Sequence, residues 1–105
     1  MLLVLAVAAI YAPVGRHTFV DLDDAEYVYE NPQVLGGLSA AGARWAFTTF
    51  HAANWHPVTW LSHQLDVELF GLDPAGHNLV SAAWHAANAL LAFALFQRLT
   101  LARPW

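Results

Sequence analysis

Apolar residues gather at the two ends of the chain, and a mixed stretch separates them. The first block, Met1 to Val14 (MLLVLAVAAIYAPV), is only about 14 residues long, short of the roughly 20 that a helix needs to cross a bilayer. Positive charge before the apolar run and a small-residue cleavage site after it would mark a signal peptide, and neither fits well here. The preferred reading is the outer end of a membrane helix that begins upstream, with a signal sequence as the competitor. From Arg16 to about Leu38 the helical period is lost, Asn31-Pro32 and Gly36-Gly37 signal turns, and an irregular loop with one short turn is expected.

Periodicity returns at Ser39. This residue is placed to cap a helix running to about Phe50, with Trp45, Phe47 and Phe50 supplying an apolar surface suited to a membrane interface. Pro57 follows Asn54-Trp55-His56 and suits a first helical position, where a missing N–H costs nothing. The helix it opens should reach Phe70 and stop at Gly71. Trp60, Leu61, Leu65, Leu69 and Phe70 recur along it at helical spacing, interrupted by Ser62, His63, Asp66 and Glu68, so it is amphipathic and too polar to span. Asp73-Pro74 then forms a cap and first turn. Between Leu79 and Phe96 only Ser81, His85 and Asn88 are polar, a length that matches a bilayer core.

The pattern therefore predicts an all-α membrane protein in four parts. Residues 1–15 are the end of a first membrane helix. Residues 16–73 form an outer loop with interfacial helices at about 39–50 and 57–70. Residues 74–100 are a second, complete membrane helix, and 101–105 are a cytoplasmic end. Arg98 and Arg103 follow the second helix, and the positive-inside tendency puts them in the cytoplasm and the loop, with Arg16 and Arg44, outside.

Composition sharpens this picture. Of 105 residues 58% are hydrophobic and 11% charged, and the mean hydropathy is +0.41, which is unlike an ordinary soluble domain. Lysine is absent and all eight acids lie between Asp21 and Asp73, so the middle of the chain is its polar part. A net charge of -4 offers nothing to neutralise a phosphate backbone, which argues against nucleic-acid binding. Without cysteine there are no disulfides, thiolate metal sites or thiol nucleophiles.

Candidate chemistry lies in that polar middle. Asp21, Asp23, Asp24, Glu26 and Glu30 fit either a solvated acidic loop or a site in which a carboxylate serves as general base or holds a hard cation. Asp21-Leu22-Asp23 matches the acid-x-acid pattern of nucleotide-sugar enzymes, but so short a match carries little weight. A calcium hand is ruled out by Ala25, Glu26 and Pro32, which stand where a ligand, a glycine and a glutamate are needed. His51, His56 and His63 lack the spacing of a zinc site, so no metal ligands are assigned and a divalent cofactor has no support from spacing. An interfacial imidazole can instead donate a hydrogen bond to a phosphate. His85 and Asn88, three apart within the span, imply protein rather than lipid on that face, through partner helices or a lipid-substrate path.

Read in order, FVDLDDAEYVYENPQV, GLSAAGARWAFTTF, NWHPVTWLSHQLDVELFGLDPAGHNL and HAANALLAF resemble the N-terminal region of polytopic membrane proteins carrying C-terminal tetratricopeptide repeats. Many bacterial proteins and the eukaryotic transmembrane-and-tetratricopeptide-repeat O-mannosyltransferases belong to that group. The resemblance runs over roughly Phe19 to Thr100. It implies the GT-C glycosyltransferase architecture: many membrane helices, an acidic motif in the first outer loop and juxtamembrane helices beside it. Asp23-Asp24 matches the acidic pair, one of which is expected to be the general base on the acceptor hydroxyl. Asp24 is favoured, since neighbours on an extended segment face opposite ways. His56-Pro57 resembles the His-Pro pair near the donor phosphate, with Asn54, His63 and Arg44 as supporting residues. Two departures stand out: Asp21 is commonly neutral in the family pattern, and the family's later helices and repeats lie beyond Pro104-Trp105.

The expectation is the N-terminal fragment of an integral-membrane glycosyltransferase, in a bacterial inner membrane. It would move a sugar, with mannose the candidate, from a polyprenyl-phosphate donor to a hydroxyl. Its expected partners are membrane lipid, that donor and further helices of the same full-length chain, and this stretch alone is expected to be inactive. The alternatives are a non-catalytic membrane anchor and assembly module of a repeat protein, or an inactive gene remnant.

Overall fold

The structure, a computed structural model, describes residues 2–101, with the side chain of Leu101 left aside. Every regular element among the described residues is helical, as the apolar periodicity predicts. Helix α1 (Leu2–Tyr11) tightens into a 3₁₀ turn over Ala12–Arg16, with Pro13 in its first turn. A π-helical turn (Ala25–Tyr29) leads to α2 (Pro32–Leu35), α3 (Ala40–Thr48), a 3₁₀ turn (His51–Ala53), α4 (Pro57–Phe70) and α5 (Pro74–Leu101).

Local signals set most of these boundaries. The Ser39 Oγ accepts the Gly42 N–H at 2.9 Å and caps α3. Asn31 caps α2 by accepting the Gln33 N–H at 3.0 Å, with Pro32 next in the first helical position. Helix α4 starts at Pro57 and ends where Gly71 takes a positive φ of 60°, a conformation open to glycine without a Cβ clash. Asp73 accepts the Ala75 N–H at 3.0 Å and caps α5, which starts at the next residue, Pro74.

The loop differs from expectation. Between Arg16 and Leu38 the chain forms a π turn and a short helix where irregular structure is expected, because its apolar residues have a core to cover. Val28, Val34, Ala46 and Trp60 form that core, with Phe19, Tyr27, Trp45, Leu61 and Val67 packed around it. Helix α3 also stops at Thr48, short of Phe50; Thr49 is extended and the chain then turns sharply. The backbone tie between α3 and α4 is polar, with the buried Gln64 donating from Nε2 to the Gly42 carbonyl at 3.2 Å. A Cβ on Gly42 would meet the Gln64 carboxamide oxygen at 2.9 Å, so the glycine is what lets Gln64 come this close.

Helix α5, with 28 residues, is the longest element among the described residues of a molecule 54 Å in extent. Its Pro74–Thr100 segment is long and apolar enough to cross a membrane, and none of its apolar window is buried within the chain. Helix α1 lies antiparallel against its first half: Gly15 meets Leu79, and the Tyr11 ring sits 4.9 Å from that of His85. Alanines line this seam (Ala8, Ala12, Ala82, Ala86), and small side chains permit close helix approach. Asn78 closes the end of the hairpin by donating from Nδ2 to the Val14 and His17 carbonyls, both at 3.2 Å. His85 and Asn88 are both exposed, and His85 meets protein at the Tyr11 ring. Arg103 and the expected cytoplasmic end lie outside the described residues.

Candidate functional site

The loop core is also where the titratable groups converge. Trp60, on the inward face of α4, is fully buried and ringed by aromatic and imidazole side chains. Ring centroids lie at 4.7 Å for His56, 4.8 Å for Tyr27, 5.1 Å for Trp45 and 5.5 Å for His51. Tyr27 adds edge contacts to His56 at 5.5 Å and His63 at 6.2 Å. Aromatic faces present partial negative charge and edges partial positive charge, so these tilted packings fix ring orientations as well as burying area. Three histidines, His51, His56 and His63, therefore surround a single indole.

Asp24 bears on this cluster from the loop through its charge. Its backbone is helical (φ -61°, ψ -31°), not extended, so the expected opposite facing of Asp23 and Asp24 does not apply. Asp24 is half-buried and its Oδ2 accepts the Val20 N–H at 2.7 Å, while Asp23 is exposed. The Asp24 charge is felt at His63. Burial holds the His63 imidazole below its usual pKa, the neighbouring His77 and His56 push the same way, and Asp24 opposes them. His63 is therefore neutral near pH 7, able to accept at one ring nitrogen and donate at the other.

The remaining expected residues are placed differently from one another. His56, at the N-terminus of α4, has a buried Nε2 without a hydrogen-bond partner. Asn54 is exposed and donates from Nδ2 to the Ala52 carbonyl at 2.9 Å, which supports a turn in which Ala52 and Ala53 have φ of 53° and 58°. Arg44 is exposed on α3 and, among the described residues, forms no ion pair with the acids. The other acids are peripheral: Asp21 accepts from the Tyr29 hydroxyl at 3.4 Å, and Glu26 lies 3.7 Å from His51 Nε2.

A second convergence escapes the sequence. His63 and Asp66 of α4 meet His77 of α5, and one ligand atom from each lies within 4.8 Å of the others. Asp66 Oδ2 is 3.9 Å from Nδ1 of both histidines. Asp66 and His77 are buried, at 3% and 4% exposure. Burial raises the Asp66 carboxyl pKa, and His77 opposes that shift. His63 and His77 are too far apart in sequence for a spacing motif. The available signal was the i, i+3 pair His63/Asp66 followed by a tight Gly71–Pro74 turn, which folds the next helix back beside it.

The two clusters share His63. Together they set the buried Asp66 carboxylate and four imidazoles, His51, His56, His63 and His77, beside the start of an apolar helix, an arrangement able to bind an anion through imidazole N–H groups or to move a proton from a hydroxyl. No protein-family model matches the chain, and comparison with curated proteins and with solved structures gives no match.

Proposed function

We propose that this chain is the N-terminal part of an integral-membrane glycosyltransferase of GT-C architecture, with the loop on the outer face and α5 spanning the membrane. The observation that carries the proposal is that the Asp24 charge acts on His63, which packs with His56 on Trp60 beside the start of a helix of membrane length. Asp24 is the general base. It keeps one carboxylate oxygen beyond the Val20 bond and takes the proton from an acceptor hydroxyl as that oxygen attacks the anomeric carbon. The sugar's bond to the polyprenyl phosphate breaks in the same displacement, and the phosphate leaves as an anion. His56 and the N-terminus of α4 face that anion, which the helix dipole favours. Mannose remains the candidate sugar, and the further helices of the full-length chain complete the donor site and cover α5.

Transfer from polyprenyl-phosphate mannose, measured in membranes holding the full-length protein, tests this. Asp24→Asn should lower the rate by about a hundred- to ten-thousand-fold, the usual worth of a general base, with membrane insertion unchanged. His56→Ala should raise the KM for the donor more than that for the acceptor. Turnover near normal in Asp24→Asn removes Asp24 from the mechanism. One observation favours the second reading, a non-catalytic anchor and assembly module: the bond from the Val20 N–H already gives Asp24 a structural task. In that case both Asp23→Asn and Asp24→Asn are silent in the transfer assay.

A further inference from the structure

We propose that His63, Asp66 and His77 bind one divalent transition-metal ion, best matched by Zn²⁺, and that this ion clamps α4 to α5 across the Gly71–Asp73 turn. Three observations point to an ion.

The first is tautomer. His77 Nε2 lies 2.9 Å from the Gly71 carbonyl, which can only accept, so Nε2 carries the proton and Nδ1 presents a lone pair. That lone pair is buried, unpartnered and directed at Asp66. Metal-binding histidines characteristically donate their other ring N–H to a carbonyl or carboxylate in this way, which orients the ring and raises its basicity. His63 Nδ1 is likewise buried without a hydrogen-bond partner.

The second is spacing. A protonated histidine paired with a carboxylate closes to about 2.7–2.9 Å, because the shared proton draws the two atoms together. Both histidines instead stand 3.9 Å from Asp66 Oδ2. A tetrahedral ion with bonds of about 2.0–2.1 Å holds its ligand atoms about 3.3–3.4 Å apart. Small side-chain rotations close the present gap, with the partly exposed His63 the freest to move.

The third is charge. Asp66 has no hydrogen-bond donor among the described residues, and a buried carboxylate needs a compensating partner. Imidazole coordinates a metal in its neutral form, so two histidines and one carboxylate offer a ligand set of charge -1, complementary to a dication. Two nitrogen donors and one oxygen suit Zn²⁺, whereas Mg²⁺ and Ca²⁺ favour shells of six or more oxygens. Three protein ligands leave the fourth position to water.

The proposal does not depend on the transferase reading, since binding is measured without turnover. The protein, purified in detergent and stripped with a chelator, is titrated with Zn²⁺ by calorimetry. One Zn²⁺ per chain is expected. Asp66→Asn and His77→Gln should each weaken binding by at least about 100-fold, since removing even an outer-shell partner costs roughly 10- to 100-fold. His85→Ala should leave affinity unchanged, because His85 packs on Tyr11, away from this cluster. Co²⁺ gives a second readout that needs no variant, a ligand-field absorption band in the folded wild type that excess Zn²⁺ abolishes. Absence of that band, binding well below one equivalent, or wild-type affinity in both folded variants overturns the proposal.

Discussion

Trp60 is fully buried, yet Leu91, in the more hydrophobic segment of the chain, is 69% exposed. The two residues belong to regions that solve opposite problems. The loop between the helices holds nearly all the charge, and it has built an interior around one indole, with Val34 and Ala46 also fully enclosed. The α1–α5 hairpin has little charge and no interior of its own. Many of its large side chains, among them Leu91, Leu95 and Phe96, point outward, and protein is met along the alanine-lined seam and where the start of α5 packs on α4. Hydrophobicity therefore does not locate burial within this chain. It distinguishes a region that excludes water by its own packing from one that leaves apolar side chains uncovered along a helix long enough to cross a membrane.

The sharpest way to break that comparison is Trp60→Ala. Removing a fully buried indole costs about 3–5 kcal/mol through lost burial and the cavity left behind. The loop should lose its cooperative unfolding transition in detergent, while the helical circular dichroism of the hairpin persists. Simultaneous loss of both signals would show one cooperative unit in place of two regions. A charge on the outward face probes the other half. Leu91→Arg near the middle of α5 should make insertion less favourable by about 3 kcal/mol on a translocon-based scale, and the loop core should be untouched. If an insertion assay gives the same inserted fraction for this variant as for the wild type, α5 is not a span.

Legibility in the sequence follows the same division. Ser39, Pro57, Gly71 and Asp73 mark helix ends through bonds or dihedrals within three residues, so the starts of α3, α4 and α5 and the end of α4 could be read from letters alone. The π turn at Ala25–Tyr29 could not. Its apolar residues have no helical period, and what folds them is contact with Trp60, thirty or more positions away. The same limit applies to the site. His56 and Asp24 were legible as chemistry, but the Val20 N–H that occupies one Asp24 oxygen is a product of the local fold, and the meeting of His63 with His77 depends on how α5 turns back against α4.

The smallest expected effect concerns a strained stretch of the loop backbone. Ala52 and Ala53 both take left-handed φ immediately before the Asn54-Trp55-His56-Pro57 run, with neither glycine nor asparagine at the position to signal it. A left-handed alanine brings Cβ close to the following carbonyl at a cost of about 1–2 kcal/mol, and relieving it with glycine returns roughly 0.5–1 kcal/mol in unfolded-chain entropy. Ala52→Gly should therefore stabilise the loop by about 0.5 kcal/mol in a denaturant titration of its unfolding. The Asn54 side chain holds this turn through the Ala52 carbonyl, so Asn54→Ala in the glycine background should cost less than in the wild type. If the two substitutions are instead strictly additive, Asn54 does not support the strained turn, and the orientation of His56 must be set by its packing on Trp60 and Tyr27 alone.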